Sequence, residues 1–344
     1  MRAGAAAIAG LLALLTVGAQ RVEPRPSQNT RQPDERRESR VGARVGSLAR
    51  DYGLAGEVLV AQGDKILLDR GYGRIAPGKK SLHKAGRRWR LASISKQVTA
   101  TLLLRDHGAM LESPLGPGDA MPTLRQLLTH HTGLANPDDS PENDGGVPAF
   151  YLNTTPDLAY CRSKPAKPGA DFAYNNCDYL IAAVELGGVA RWPSGMAMAK
   201  SGEMGVPGFV GGRPEAHLEL ASFGPAGGLM GTARAVFAFD RALMTGKILS
   251  ETARAELWKP EGGRSYQALG QWVFPGTLKG CATPKRIVQR DGEIGGVQTR
   301  NYIMPDDDMI VIVFTNRGSE DFSIGEIWQG KGFAYDLLAT VACS

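Results

Sequence analysis

The chain has 344 residues, 42% of them hydrophobic and 22% charged, with a formal net charge of +5. That composition excludes a disordered protein and a many-spanning membrane protein, and the length is enough for a large core. Eight Arg and four acidic residues between 21 and 50 carry +4 and Arg2 adds one, so residues 51–344 sum to zero and offer no basic nucleic-acid-binding face.

Residues 1–20 hold one basic residue, Arg2, then an apolar run over 5–15 and the small residues Val17-Gly18-Ala19. That is the shape of a secretory signal over 1–19, cleaved after Ala19, and the run is shorter than the ~20 residues a membrane span needs. No other segment is long and apolar enough to span, so the expectation is a periplasmic or secreted protein with no stable membrane anchor after cleavage. Residues 20–44, rich in Arg, Pro, Gln and Glu, read as a disordered linker before one domain over 45–344. Cys161, Cys177, Cys281 and Cys343 form no Cys-x-x-Cys and have no histidine at metal spacing. In an exported chain they suggest two disulfides, with three connectivities open.

Residues 57–61 and 65–69, either side of Gln62-Gly63-Asp64, read as a β-hairpin. The loop after it nearly fits a dinucleotide fingerprint at 71–76 and a phosphate loop at 73–80. Pro77 breaks the helix the first needs, and Lys79 is not followed by Ser or Thr, so both are set aside.

Ser93-Ile94-Ser95-Lys96 follows, at the head of an apolar helical pattern that stops near His107-Gly108. On a helix, residues three apart share a face, which sets an amine beside a hydroxyl at the positive end of the helix dipole. A partly desolvated lysine there can lose its proton near neutral pH and activate the serine. The motif is short enough to arise from composition, and the bland reading of Ser93 is a helix-capping serine. A second match, Ser81-Leu82-His83-Lys84, lies in a Gly/Lys/Arg-rich loop and reads as surface.

Residues 123–134 read as a short amphipathic helix closing on a tight turn, where His130 and His131 have no carboxylate at metal-ligand spacing and read as structural. Tyr174-Asn175-Asn176 leads into a helix through Glu185, and residues 187–212 are too glycine-rich to assign. A clear amphipathic helix spans 233–244. Short strands are expected at 268–274, 286–290, 298–304 and 309–315, with 309–314 a central strand, and a closing helix over 325–341. Strands at both chain ends with helices between imply an α/β lobe, about 45–108 and 226–344, around a mostly helical lobe, about 109–225.

Ser93-Ile94-Ser95-Lys96, Leu128-Thr129-His130-His131-Thr132-Gly133-Leu134, Tyr174-Asn175-Asn176 and Ala226-Gly227-Gly228-Leu229 occur in that order. The set resembles the serine β-lactamase and penicillin-binding superfamily, in its class C-like esterase branch, over roughly residues 50–320. The resemblance implies an α/β (α+β) fold: an antiparallel sheet flanked by helices, built from both chain ends, beside an inserted helical lobe. It implies Ser93 as acylated nucleophile, Lys96 as its activating amine and Tyr174 as proton shuttle, with base duty open between the last two. It makes Asn176 a substrate hydrogen-bond donor.

The family's third motif is Lys-Thr-Gly or His-x-Gly, and the aligned triplet is Arg290-Asp291-Gly292. Gly292 would let backbone approach substrate, and the N–H of Glu293 would form an oxyanion hole with that of Ser93. Arg290 would bind a substrate carboxylate bidentately, unless it pairs with Asp291, Glu293 or another acid on the strand. Residues 187–220 look shorter than their family counterpart. Because Cys161 and Cys177 flank the approach to Tyr174, the pairing expected from this role is Cys161–Cys177, leaving Cys281–Cys343.

No Gly-x-Ser-x-Gly elbow and no His-Glu-x-x-His occurs, which disfavours a Ser-His-Asp hydrolase and a zinc hydrolase. The reading is an exported serine hydrolase acting on small esters or peptide-like amides, with no cofactor and no metal. Its rival is a non-catalytic binder of cell-wall peptide or β-lactam on the same fold.

Overall fold

The computed structural model describes residues 28–116, 120–262 and 265–343. The expected signal at 1–19 and residues 20–27 of the expected linker lie outside these.

Seven antiparallel strands form the main sheet: β1 (Gly56–Gln62), β2 (Lys65–Tyr72), β3 (Gln267–Ala268), β4 (Gln271–Gly276), β5 (Lys285–Ile294), β6 (Val297–Met304) and β7 (Met309–Thr315). Their order is β2-β1-β7-β6-β5-β4-β3, so the two chain ends meet where β1 pairs with β7, Val58 opposite Val313. The run Met309–Thr315 is apolar throughout because both faces of β7 are covered. Ile310, Ile312 and Phe314 point into one core, and Met309, Val311 and Val313 into another.

The second core lies under helices α1 (Gln28–Asp51) and the chain-closing α7 (Phe333–Ala342). The first lies under α2 (Ile94–His107), α3 (Leu124–Leu128), α4 (Asn176–Glu185), α5 (Ala233–Met244) and α6 (Glu251–Leu257). Helix α7 is Phe333–Ala342. It starts later than the sequence suggested because Gly330 and Gly332 adopt φ of 66° and 102°, which a continuous helix cannot contain.

One expectation is overturned. Residues 28–44 are not a disordered linker but most of α1. Val41, Val45 and Ala49 recur at helical spacing and are all buried against the sheet and α7. Three apolar residues look sparse in composition, yet on one face they suffice, at about 1.5–3 kcal/mol for each fully buried valine. Glu38 pairs with Lys65 at 2.8 Å, and Tyr52, just past the helix, donates to Asp336 on α7 at 2.6 Å.

Between α2 and α5 the chain is less helical than expected. Besides α3, α4 and short turns it holds a small sheet in which Leu229–Gly231 pairs with Trp89–Arg90 and with Ala197–Met198. Residues 187–220 are tied in by Glu215, whose carboxylate accepts from Nη1 and Nη2 of Arg90 and from the backbone N–H groups of Gly208 and Gly296. The disulfides are Cys161–Cys177 and Cys281–Cys343.

Candidate active site

The approach to Ser93 is fixed before the serine is reached. Trp89 lies opposite Gly231 and donates its indole N–H to the buried Glu57 at 2.8 Å. Ala92 is buried with φ of 47°, a conformation non-glycine residues hold only when their surroundings impose it. The chain swings there from strand into α2, and Ser93 sits at the N-cap position. Its side chain makes no capping bond, so the hydroxyl is left for other partners. The second Ser-x-x-Lys, at Ser81, is exposed loop.

Lys96, one turn into α2, is fully buried. Its amine meets Ser93 Oγ at 3.2 Å, Asn176 Oδ1 at 2.5 Å and the Ala226 carbonyl at 2.9 Å. Two of these partners can only accept, while the hydroxyl can donate. A neutral amine therefore satisfies all three, with its lone pair facing Ser93. Burial first, and then the charge of Arg290, hold this amine well below the usual lysine range.

Tyr174 is delivered by the loop that Cys161–Cys177 closes. Asn175 anchors this loop, its Oδ1 accepting from Cys177 N and its Nδ2 donating to the carbonyls of Leu134 and Ala135. Under the phenol lies the His130 ring, 4.6 Å between centroids, with Nδ1 on the buried Asp178 carboxyl at 2.8 Å. Tyr174 Oη reaches Ser93 Oγ at 2.6 Å. Burial raises the phenol's pKa, opposed by Arg290 and the Ser93 hydrogen bond, so the tyrosine keeps its proton.

Arg290 departs from both expectations. It is 1% exposed, and it pairs with neither Asp291 nor Glu293. Its Nε donates to the Ser93 carbonyl at 2.9 Å and its Nη2 to Tyr174 Oη at 2.7 Å, while the guanidinium lies 4.7 Å from the centroid of Trp272. Nη1 is buried with no partner. The fork faces inward, onto the nucleophile and the phenol, and is not displayed for a substrate carboxylate.

At Gly292 a Cβ would stand 2.5 Å from Ser93 N and 2.7 Å from Thr299 Oγ1, so the close approach seen here is to the backbone of Ser93. Only glycine lets β5 come this close to Ser93. The pairing of β4 with β5 ends at Gln289, so the strand from Arg290 onward has an edge free of β4. The Glu293 side chain turns away and accepts from Ser319 N.

Asn176 is held on both ends, its Oδ1 by Lys96 and its Nδ2 on Tyr151 Oη at 2.8 Å. Tyr151 in turn donates to Asp138 and stacks on Phe223 at 4.1 Å. Sequence reasoning passed over Tyr151, Asp138 and Trp272: the first two lie in short 3₁₀ turns and the third on β4, with no motif around them. His130 was the one partly visible signal, since it sits inside a quoted motif. His131 bonds the Ala170 carbonyl and Glu261. No cluster of His, Cys, Asp and Glu among the described residues could hold a metal.

The arrangement is a continuous relay: Arg290 to the phenol, phenol to hydroxyl, hydroxyl to amine. The Beta-lactamase family matches residues 41–201 and 187–330 of the chain. The Bacillus subtilis (strain 168) protein PbpX, provisionally named a penicillin-binding protein, is 22% identical over 300 residues, 79% of this chain and 73% of its own. The D-amino acid amidase of Ochrobactrum anthropi SV3, complexed with D-phenylalanine, superposes with a TM-score of 0.66 at 15% identity, covering 88% of this chain and 97% of its own. A penicillin-binding protein from Bacillus halodurans gives 0.63 at 18% identity, over 86% and 98%. Fold, motif order and family match agree: the chain belongs to the Beta-lactamase family, within the serine β-lactamase and penicillin-binding superfamily.

Proposed function

We propose that the chain is an exported serine hydrolase that cleaves small esters or peptide-like amides through an acyl-enzyme on Ser93. The observation that carries this reading is Ser93 Oγ standing between the Tyr174 phenol at 2.6 Å and the Lys96 amine at 3.2 Å, with the hydroxyl free of any capping role. Two disulfides support the exported part.

In this mechanism neutral Lys96 takes the Ser93 proton as Oγ attacks the carbonyl carbon. The oxyanion forms against the N–H groups of Ser93 and Glu293. As the carbonyl reforms, the leaving group takes the proton of Tyr174, and Arg290 stabilises the phenolate left behind. Lys96 returns its proton to the phenolate, and water then releases the acyl group by the same steps reversed. General acid–base catalysis of this kind contributes about 10²–10⁴-fold. Activity requires the neutral amine, so kcat/KM falls as pH drops through the depressed pKa of Lys96.

The test is labelling with a fluorophosphonate, followed by a panel of short esters, a chromogenic cephalosporin and D-amino peptides. Label is expected on Ser93 and absent from Ser93→Ala. An unlabelled wild-type protein that still binds cell-wall peptide would favour the non-catalytic rival.

A further inference from the structure

One residue fastens Tyr174 from beneath. The His130 carbonyl accepts from Ala173 N at 3.0 Å, and His130 Nδ1 accepts from Asn175 N at 3.3 Å, so the same histidine holds the backbone on both sides of the tyrosine. Its ring lies 4.6 Å from that of Tyr174. His130 itself has φ of 66°, a conformation that a non-glycine residue keeps only when its surroundings impose it. The Asp178 carboxyl, on α4, meets Nδ1 at 2.8 Å, and both side chains are fully buried.

The hydrogen bonds around this pair fix where its protons lie. Asn175 N can only donate, so Nδ1 faces it with a lone pair and carries no hydrogen. The bond between Nδ1 and Asp178 Oδ2 must then take its hydrogen from the carboxyl. Asp178 Oδ1 accepts from Thr132 Oγ1 at 2.5 Å, and that hydroxyl oxygen accepts in turn from Leu134 N at 3.2 Å. A carboxylic acid, donating from one oxygen and accepting on the other, satisfies every contact. A carboxylate would need a hydrogen on Nδ1, which would face the Asn175 N–H, donor against donor. The ring's one hydrogen therefore sits on Nε2, which has no partner among the described residues, and the imidazole packs against the rings of Phe172, Tyr174 and Tyr179. Burial acts in the same direction. It pushes the Asp178 carboxyl well above the usual carboxylate range, and burial, then the charges of Lys96, Arg290 and His131, hold His130 well below the usual histidine range. The α4 dipole favours the anion only weakly beside this.

We infer that His130 is the positioning residue for Tyr174, and that Asp178 orients it as a neutral carboxylic acid. This rests on the hydrolase reading above and deepens it. The acid fixes the ring, the ring and its backbone fix the phenol, and the phenol keeps its 2.6 Å contact with Ser93. Neutrality matters because Asp178 is close enough to act on Lys96, whose charged neighbours also include Arg290, Asp138 and Asp291. An anion at Asp178 would favour the ammonium form of Lys96, which cannot take the Ser93 proton.

The first measurement reads protons without turnover. In protein carrying nitrogen-labelled histidine, NMR should show His130, assigned by its loss in His130→Asn, with a bare Nδ1 and a protonated Nε2 across the range of about pH 5 to 8 in which a free histidine titrates. An imidazolium or the opposite tautomer would overturn the neutral pair. Turnover of a short ester then tests the role. Asp178→Asn keeps a donor for Nδ1 and an acceptor for Thr132, so kcat should stay near the wild-type value and the acidic limb of kcat/KM should not move. Were Asp178 ionised, the same change would remove an anion and carry that limb about one pH unit or more toward acid. Asp178→Leu takes the donor away. His130→Asn tolerates the left-handed backbone but has no ring to set beneath the phenol. Each should lower kcat, and the rate at which a fluorophosphonate labels Ser93, by about 10–100-fold per molecule folded by circular dichroism, with KM changed far less. Folded protein of either variant that labels and turns over at the wild-type rate would overturn the positioning role. Failure of wild-type protein to label Ser93 would instead bring down the hydrolase reading, and the NMR result on the pair would stand by itself.

Discussion

Two buried cationic sites touch the same strand, β5, and differ in how their charge is answered. Arg90, fully buried, is answered by a carboxylate: Glu215 takes it at 2.5 and 2.9 Å, and the carbonyl of Ile294 at the end of β5 adds a further bond. Four residues back along that strand, Arg290 lies beside the equally buried Lys96, and among the described residues neither has a carboxylate partner. Their contacts are carbonyls, an amide, a hydroxyl and a phenol. The first site is neutral, and its arginine serves to hold a loop to a strand. The second is short of negative charge: burial first, and then the Arg290 charge, hold Lys96 well below the usual lysine range, and a positive field is left where an oxyanion and a phenolate would form.

The comparison breaks first at Lys96. Lys96→Ala should lower kcat/KM by about 10³-fold or more, with Ser93→Ala adding little on top, since members of one unit do not act additively. Lys96→Arg, which restores charge but cannot lose its proton, should be as inactive. Near-normal turnover from the arginine variant would show that the neutral amine is not the working form.

Arg90→Met tests the other pole. It strands Glu215 without its counter-ion and should cost about 3–5 kcal/mol of stability in a denaturant titration, while folded molecules keep their turnover. Selective loss of turnover with unchanged stability would mean that the two sites are not separable.

Arg290→Gln sharpens the contrast. A loss of about 10–100-fold in kcat/KM is expected, the scale of one electrostatic donor. The acidic limb of the pH profile should move to higher pH, because Arg290 is what holds the Lys96 pKa down after burial itself. Arg290→Lys should recover part of the rate. An unmoved limb would place the Lys96 shift in burial alone. The smallest effect belongs to Tyr151→Phe, which removes the acceptor of the Asn176 amide; about 0.5–1.5 kcal/mol, a few-fold in kcat, is the value of one such bond.

These contrasts also explain what could be read in advance. Ser93 and Lys96 were legible because three-residue spacing on a helix fixes their meeting, and Met309–Thr315 because a strand covered on both faces has no room for polar residues. Helix Ala233–Met244 announced itself by its period. The order of residues 28–44 was hidden because it depends on a partner surface, β2 and α7, made from chain 20 to 300 residues away. Arg290 was identified as a site residue, but its direction was not legible. Strand alternation puts it on the Ser93 face, and only the packed structure shows Trp272 and Tyr174 closing around it. Asn176 lost its freedom in the same way, to a tyrosine and an aspartate 25 and 38 residues earlier.

The sheet is also a partition. Helices α1 and α7 pack together on the face away from Ser93, locked by Tyr52 to Asp336 and, at the C-terminal side, by Cys281 to Cys343. The packed part of α1 and the closing helix therefore lie at the back of the plate, and the candidate site lies at the front. A tether fixed to α7, or to the packed part of α1 around Val41, Val45 and Ala49, would therefore pull on the layer opposite the candidate site.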